Sequence, residues 1–195
     1  MRFAVLCPGS SVSLFGLVSR PDRVIGVNAG ACAFPCDWWV FLGGYTWDYC
    51  YENGRQPQGS PVLVAPGGAL NKLRKTGRIP KDSPGLDSER LHQDHPEWPT
   101  RDFNWKRWSW SVAVFFAAIQ GATEIQTFGM DWSGIEDFDG RTNKHQQRRL
   151  LPHRKDGKTR WAGEAEQFSI DQVVLGARGV SLERVTKDST CLLRT

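Results

Sequence analysis

Two strand-to-turn junctions, far apart along the chain, constrain its fold more than any other feature. In the first, the apolar strand of RFAVLCPGSS (residues 2–11) runs into the turn Pro8-Gly9-Ser10-Ser11. In the second, EIQTFGMDWSG (residues 124–134), a strand ends on Gly129-Met130-Asp131. In open α/β sheets, ligands bind outside the carboxyl ends of strands, where backbone amides and helix N-termini converge. The two junctions therefore predict one crevice, suited to a phosphorylated ligand.

The rest of the chain alternates short apolar runs with helical patterns. We predict strands at 3–7, 23–27, 38–42, 62–65, 124–128 and 180–185, and helices at 11–19, 45–52, 109–120 and 162–177. Continuous apolar strands separated by helices are typical of parallel sheets, whose two faces are both covered. The predicted fold class is therefore α/β and Rossmann-like, with a mostly parallel sheet flanked by helices.

A chain of 195 residues is the usual size of one domain. Residues 79–108 begin with four prolines among many charges, which predicts an irregular insertion or lid. Residues 135–160 are polar and basic, and we expect them to form a loop over the site, with a helical piece at 146–151. The whole chain, 1–195, is thus interpreted as a single α/β domain.

Hydropathy and cysteine content narrow the class of protein. No apolar run reaches the roughly 20 residues that span a bilayer, and no signal peptide is recognisable, which predicts a cytoplasmic protein. The odd count of five cysteines favours small buried hydrophobes over a disulfide framework or zinc ligands. Carboxylates also recur at 136–139 and 164–166, but their spacing matches no metal motif. No metal site is therefore predicted.

The net charge of +4 is concentrated at 72–81 and 141–160. Each basic cluster is either a solvated face or an electropositive surface for phosphates or nucleic acid.

The first turn and the neighbouring strand end supply candidate nucleotide-binding groups. The amide of Gly9 and the hydroxyls of Ser10 and Ser11 stand at a predicted helix N-terminus, as phosphate or ribose contacts require. Asn28 ends the next strand, where its amide either contacts a base, ribose or sugar hydroxyl, or caps a turn.

The second junction adds candidates of its own. Ser109 and Ser111 open the central helix, and Asp131 either orients hydroxyls, acts as a base, or caps the turn that follows it. His145 and His153 lie in the basic loop and are candidate general bases, with solvated loop histidines as the alternative.

Taken together, these motifs resemble the bacterial lipooligosaccharide sialyltransferases and the related hydroxymethylpterin diphosphokinase-like family. The resemblance lies in Pro8-Gly9-Ser10-Ser11, in Val27-Asn28, and in Ser109 followed by an alanine-rich helix, Gly121-Ala122-Thr123-Glu124-Ile125 and Gly129-Met130-Asp131. The order Pro-Gly-Ser departs from the family's Gly-Pro-Ser, and Trp110 stands where the family has a small residue. The short length also resembles small phage-borne relatives.

The resemblance implies an inverting glycosyltransferase that needs no cofactor and binds a nucleotide-activated donor through Ser10, Asn28, Ser109 and Asp131. Arg148, Arg149, Lys158 and Arg160 are the cations available to a leaving phosphate or an acidic partner. The acceptor would be a glycan or a modified nucleic acid, and the protein could form oligomers.

Two alternatives remain open. One is pyrophosphoryl transfer from ATP, which would need Mg²⁺. The other is a non-catalytic nucleotide- or nucleic-acid-binding protein, because the region at 160–164 lacks the histidine that the family carries there.

Overall fold

The computed structural model describes residues 1–52, 54–98, 108–132, 136–142 and 160–187. Its centre is one sheet of seven strands, all pairing in parallel. The strands are β1 (Arg2–Leu6), β2 (Arg23–Val27), β3 (Trp38–Val40), β4 (Val62–Ala65), β5 (Gly85–Asp87), β6 (Glu124–Phe128) and β7 (Ser181–Arg184). The predicted α/β, Rossmann-like fold class is therefore confirmed.

The strand order is β5-β4-β3-β2-β1-β6-β7. β1 lies between β2 and β6, with Phe3 opposite Arg23 on one side and Ile125 on the other. The chain builds the sheet outward from β1 to β5 and then returns to the other side of β1. The strand order reverses between β1 and β6, and such a switch point opens a crevice at the carboxyl ends of the two strands.

Helices cover both faces of this sheet. The α-helices are α1 (Gly44–Glu52), α2 (Gly67–Lys75), α3 (Ser88–Asp94), α4 (Ser109–Ile119) and α5 (Arg160–Gly176), and 3₁₀ helices span Ser10–Leu17 and Asn28–Cys32. None of the helices in the described part of the chain has the length and apolar character needed to cross a membrane.

The alternating side chains of β1 show how the two faces are used. Phe3 and Val5 pack with the residues of α4, whereas Ala4 and Leu6 pack with those of the first 3₁₀ helix. Such alternation follows from the period of two in a β-strand. Helix α4 is buried from Trp110 to Ala118, as expected of a helix that is apolar on all sides.

Part of the segment expected to be irregular is regular. Residues 79–98 contain the edge strand β5 and helix α3, and β5 pairs with β4. Asp87 secures this addition, because its Oδ1 accepts hydrogen bonds from the backbone N–H groups of Gly67 (2.9 Å) and Glu89 (3.0 Å). Most of the predicted basic loop, including the helical piece at 146–151, lies outside the described residues.

Candidate functional site

The two junctions predicted from the sequence meet at the switch point. The N–H of Cys7 donates to the carbonyl oxygen of Phe128 (2.7 Å), and the N–H of Gly9 donates to that of Gly129 (2.9 Å). A Cβ on Gly9 would lie 2.5 Å from the Gly129 oxygen, and one on Gly129 would overlap the carbonyl of Cys7. Gly129 also has φ +73°, a conformation that favours glycine. Glycine is therefore required on both sides of this contact.

Asp131 fastens the two junctions together. Its carboxylate accepts hydrogen bonds from Ser10 Oγ (3.0 Å), from the Ser11 backbone N–H (3.1 Å) and from Ser11 Oγ. Ser11 Oγ also accepts from the N–H of Gly129 (3.1 Å). Asp131 thus caps the first 3₁₀ helix across 120 residues of sequence. The turn that follows it, at 133–134, lies outside the described residues. Of the groups expected to hold a phosphate, the Ser10 and Ser11 hydroxyls therefore donate to this carboxylate, and the Gly9 amide donates to the Gly129 carbonyl oxygen.

A narrow crevice runs along this contact. Its lining includes five of the predicted site residues: Gly9, Asn28, Ser109, Asp131 and Arg160. The cavity volume is about 50 Å³, room for a few water molecules. A ligand as large as a sugar ring would therefore have to widen it.

Ser111 lies elsewhere. It is fully buried, and its hydroxyl donates to Asp171 Oδ2 at 2.7 Å. Two positions along an α-helix turn the side chain by about 200°, so Ser109 and Ser111 cannot share one side of α4. The predicted contact between Ser111 and a ligand is therefore not supported by its position. The other predicted residues, His145, His153, Arg148, Arg149 and Lys158, lie outside the described residues.

Asn28 adopts a left-handed backbone conformation at the end of β2, with φ +50°. Asparagine tolerates this region better than most residues. Trp39 Nε1 donates to the Asn28 carbonyl oxygen (2.8 Å), and Thr46 Oγ1 donates to its Oδ1 (3.4 Å). Both of its oxygens are thus held by neighbouring elements while the residue lines the crevice.

Trp132 is a site residue that the sequence did not reveal. Its φ of +51° is unusual for a bulky side chain, and such strain is concentrated at functional sites. Arg184 holds it in place: the guanidinium lies 4.1 Å from the centre of the indole ring and also donates to the Met130 carbonyl oxygen (3.1 Å). The ring of Phe168 packs edge-on against the indole, with 5.6 Å between centroids.

The indole N–H groups of Trp110 and Trp132, which belong to residues of the crevice lining, are buried. Neither has a hydrogen-bond acceptor among the residues that the structure describes. A buried donor without a partner costs about 1–3 kcal/mol. Native proteins rarely leave such groups unexplained, and an absent ligand or water is one of the usual reasons.

The described part of the crevice is acidic. Four carboxylates line it, those of Asp131, Glu136, Asp137 and Glu164. Arg160 is the guanidinium group in the lining; its Nε donates to Glu164 Oε1 (2.9 Å), and its charge lies 4.8 Å from the centre of the Trp108 ring. The one predicted phosphate-binding cation that the structure describes is therefore already paired.

A buried ion cluster positions the segment that contributes two of these carboxylates. Arg55 Nη1 donates to Asp137 (2.7 Å), and its Nε and Nη2 both donate to Asp139. Tyr49 also donates to Asp137 (3.0 Å), and the N–H of Phe138 donates to the Pro8 carbonyl oxygen (2.6 Å). Residues 136–142 are thereby fixed against the first junction.

The same cluster shifts the titration of its members. Burial, together with the negative charge of Asp137, raises the pKa of Tyr49 to about 12. Burial would raise the pKa of Asp139, but the hydrogen bonds from Arg55 outweigh it and hold that pKa below its usual value. At neutral pH Tyr49 is therefore uncharged and Asp139 is ionised.

A second cavity, of about 330 Å³, lies against β3 and β4, with Trp39 and Leu63 in its lining, and extends to the segments that precede β4 and β5. Trp47 and Tyr51 of α1 form one wall, stacked with 4.5 Å between centroids, and Pro61 and Pro84, which precede β4 and β5, form part of the rim. It is wider than the crevice, but it lies at the amino ends of its strands. Parallel α/β sheets bind their ligands at the carboxyl ends, which favours the crevice as the site.

Comparison with protein-family models, with curated proteins and with solved structures finds no match to this chain. Within the described ranges, no group of three or more His, Cys, Asp or Glu side chains has an arrangement that could hold a metal ion.

Proposed function

We propose that this protein is a transferase that uses a nucleotide-activated sugar as its donor. One observation carries the proposal: Gly9, Asn28, Ser109, Asp131 and Arg160, which lie far apart in the sequence, all line one crevice at the switch point of the sheet. This is where nucleotides bind in doubly wound α/β folds.

The reaction would be a single inverting displacement. An acceptor hydroxyl oxygen forms a bond to the anomeric carbon of the donor, while the bond from that carbon to the phosphate oxygen breaks. The leaving phosphate keeps the electron pair, and the hydroxyl proton passes to His145 or His153. Arg148, Arg149 and Lys158 would neutralise the leaving phosphate. The acceptor would be a glycan or a modified nucleic acid.

Calorimetric titration with nucleoside mono- and diphosphates tests the donor site. We expect at least one of them to bind, and Asn28→Gly to weaken that binding about 2- to 12-fold through loss of side-chain hydrogen bonds. Glycine accepts φ +50° without strain, so this variant removes the amide and keeps the backbone conformation.

Asn71→Ala, an exposed position on α2, is the matched control. If no nucleotide binds, or if the two variants bind it equally well, the donor site is not the crevice.

A further inference from the structure

The hydrogen-bonding groups of the crevice specify which part of a ligand it takes. We infer that the crevice holds an uncharged, hydroxyl-bearing ring, a ribose or a sugar, whose hydroxyls accept hydrogen bonds from Trp110 Nε1 and Trp132 Nε1. This inference rests on the proposed function and adds to it a place for the sugar portion of the ligand.

The first argument is the pair of donors without acceptors. Trp110 is only 5% exposed, and both indole N–H groups are buried. Trp110 lies at the start of α4, and Trp132 lies just after β6. Both rings pack against the ring of Phe168. Two independent segments thus each place, beside the same crevice, an indole whose donor has no acceptor among the described residues, and a ligand that widens the crevice and supplies oxygen acceptors would satisfy both.

The second argument is charge. Phosphate oxygens would satisfy the indoles, but they would bring further negative charge beside four carboxylates. Arg160 and Arg55 are already bonded to Glu164 and Asp137, and Arg184, whose guanidinium lies 4.1 Å from the centre of the Trp132 ring, donates to the Met130 carbonyl oxygen. A phosphate is therefore disfavoured in the described part of the crevice.

The third argument is that a hydroxyl group can bond both to the indole N–H donors and to the carboxylate acceptors of the crevice. It accepts a hydrogen bond from an indole and donates one to a carboxylate such as Glu136 or Glu164. The rings of Trp110, Phe168 and Trp132 form a continuous aromatic surface, with centroid separations of 5.8 Å and 5.6 Å. Aromatic faces of this kind suit the C–H face of a sugar ring.

Indole N–H resonances provide a direct test. The protein is labelled with ¹⁵N-tryptophan, and Trp110→Phe, Trp132→Phe and Trp47→Phe assign three of its nine indole signals. The probes are the four ribonucleosides, their 5′-monophosphates, glucose, galactose and N-acetylglucosamine, and inorganic phosphate. We expect a nucleoside or neutral sugar to shift the Trp110 and Trp132 signals and to leave the Trp47 signal unchanged.

Affinity measurements give a second readout. Each of Trp110→Phe and Trp132→Phe should weaken the binding of that probe about 2- to 12-fold, the value of one hydrogen bond. Trp47→Phe should leave it unchanged, because Trp47 lines the second cavity. If one of the two crevice variants folds poorly, the other still assigns its own indole signal, and the response of that signal to the probes tests the inference.

The outcomes separate this inference from the proposed function. Trp110 and Trp132 signals that stay fixed with every probe, that move only with phosphate, or that stay fixed while Trp47 moves would each overturn the inference. A nucleotide that binds without moving them would overturn it and leave the transferase proposal standing. A neutral sugar that moves them when no nucleotide binds would support the inference and refute the transferase proposal.

Discussion

Arg55→Met removes the cation from a buried ion pair and keeps most of the aliphatic volume. The side chain of Arg55 is 5% exposed and that of Asp137 is 2% exposed, with 2.7 Å between the bonded atoms. After the substitution, Asp137 remains buried without its cation. Removing one partner of such a pair costs about 3–5 kcal/mol, mostly as the penalty of the charge left behind. Asp139 is 27% exposed, so hydration by water compensates for most of the energy of its lost ion pair with Arg55.

For a chain of this size, each kcal/mol lowers Tm by about 2–4 °C. We therefore expect Arg55→Met to lower Tm by about 6–20 °C. The matched control is Arg23→Met, which breaks an exposed pair with Asp37 at 3.9 Å and should cost less than about 1 kcal/mol.

A double-mutant cycle isolates the charge effect. Arg55→Met combined with Asp137→Asn leaves no unpaired charge at position 137, so the double variant should be more stable than the sum of the single effects by about 1–3 kcal/mol. Urea unfolding followed by circular dichroism supplies the free energies of unfolding for all four proteins. This account of the cluster would be refuted if the effects of the two substitutions on the free energy of unfolding were additive. It would also be refuted if Arg55→Met lowered that free energy no more than Arg23→Met does.

Two further predictions concern the backbone and pH. Gly129→Ala should lower the free energy of unfolding by more than Gly121→Ala in urea titrations, because both have positive φ (+73° and +86°) but only the first places its Cβ against a carbonyl; equal losses would contradict the close approach at Gly129. The depressed pKa of Asp139 means that its ionised form adds stability above its unfolded pKa of about 4, and that this is lost as pH falls through the folded pKa. In urea unfolding below about pH 4, the free energy of unfolding should therefore fall more steeply with falling pH for the unmodified protein than for Arg55→Met. Parallel pH profiles of the two proteins would contradict the role of Arg55 in lowering the pKa of Asp139.

The sequence predicted the parts of the fold that depend on local pattern. Strands β2, β4 and β6 have the predicted bounds, because each is a short segment with apolar residues that ends at a turn. Strand β5 was missed, since three residues (Gly85–Asp87) between prolines and charges carry no readable periodicity. Its place in the sheet comes from pairing with β4 and from the Asp87 hydrogen bonds, which are tertiary contacts.

In the candidate site, too, the sequence predicted the residues at strand ends and missed the contacts between distant segments. The position of Asn28 and Asp131 follows from strand ends, which the sequence indicates. The Arg55–Asp137 pair joins residues 82 positions apart, and no local pattern links them. Trp110 and Trp132 resemble core aromatics in sequence, and only the structure reveals that the described part of the chain offers their N–H groups no acceptor.

The place of β1 in the sheet has a consequence for synthesis. The neighbour of β1 on one side, β6, follows it by about 120 residues, and at about 5–20 residues per second the ribosome needs about 6–24 s to synthesise them. During that interval one edge of β1, four of whose five residues are buried in the finished fold, has no native partner and can pair with a strand of another molecule. Yield of soluble protein should therefore depend on chaperone capacity and translation speed more than on the stability of the finished fold.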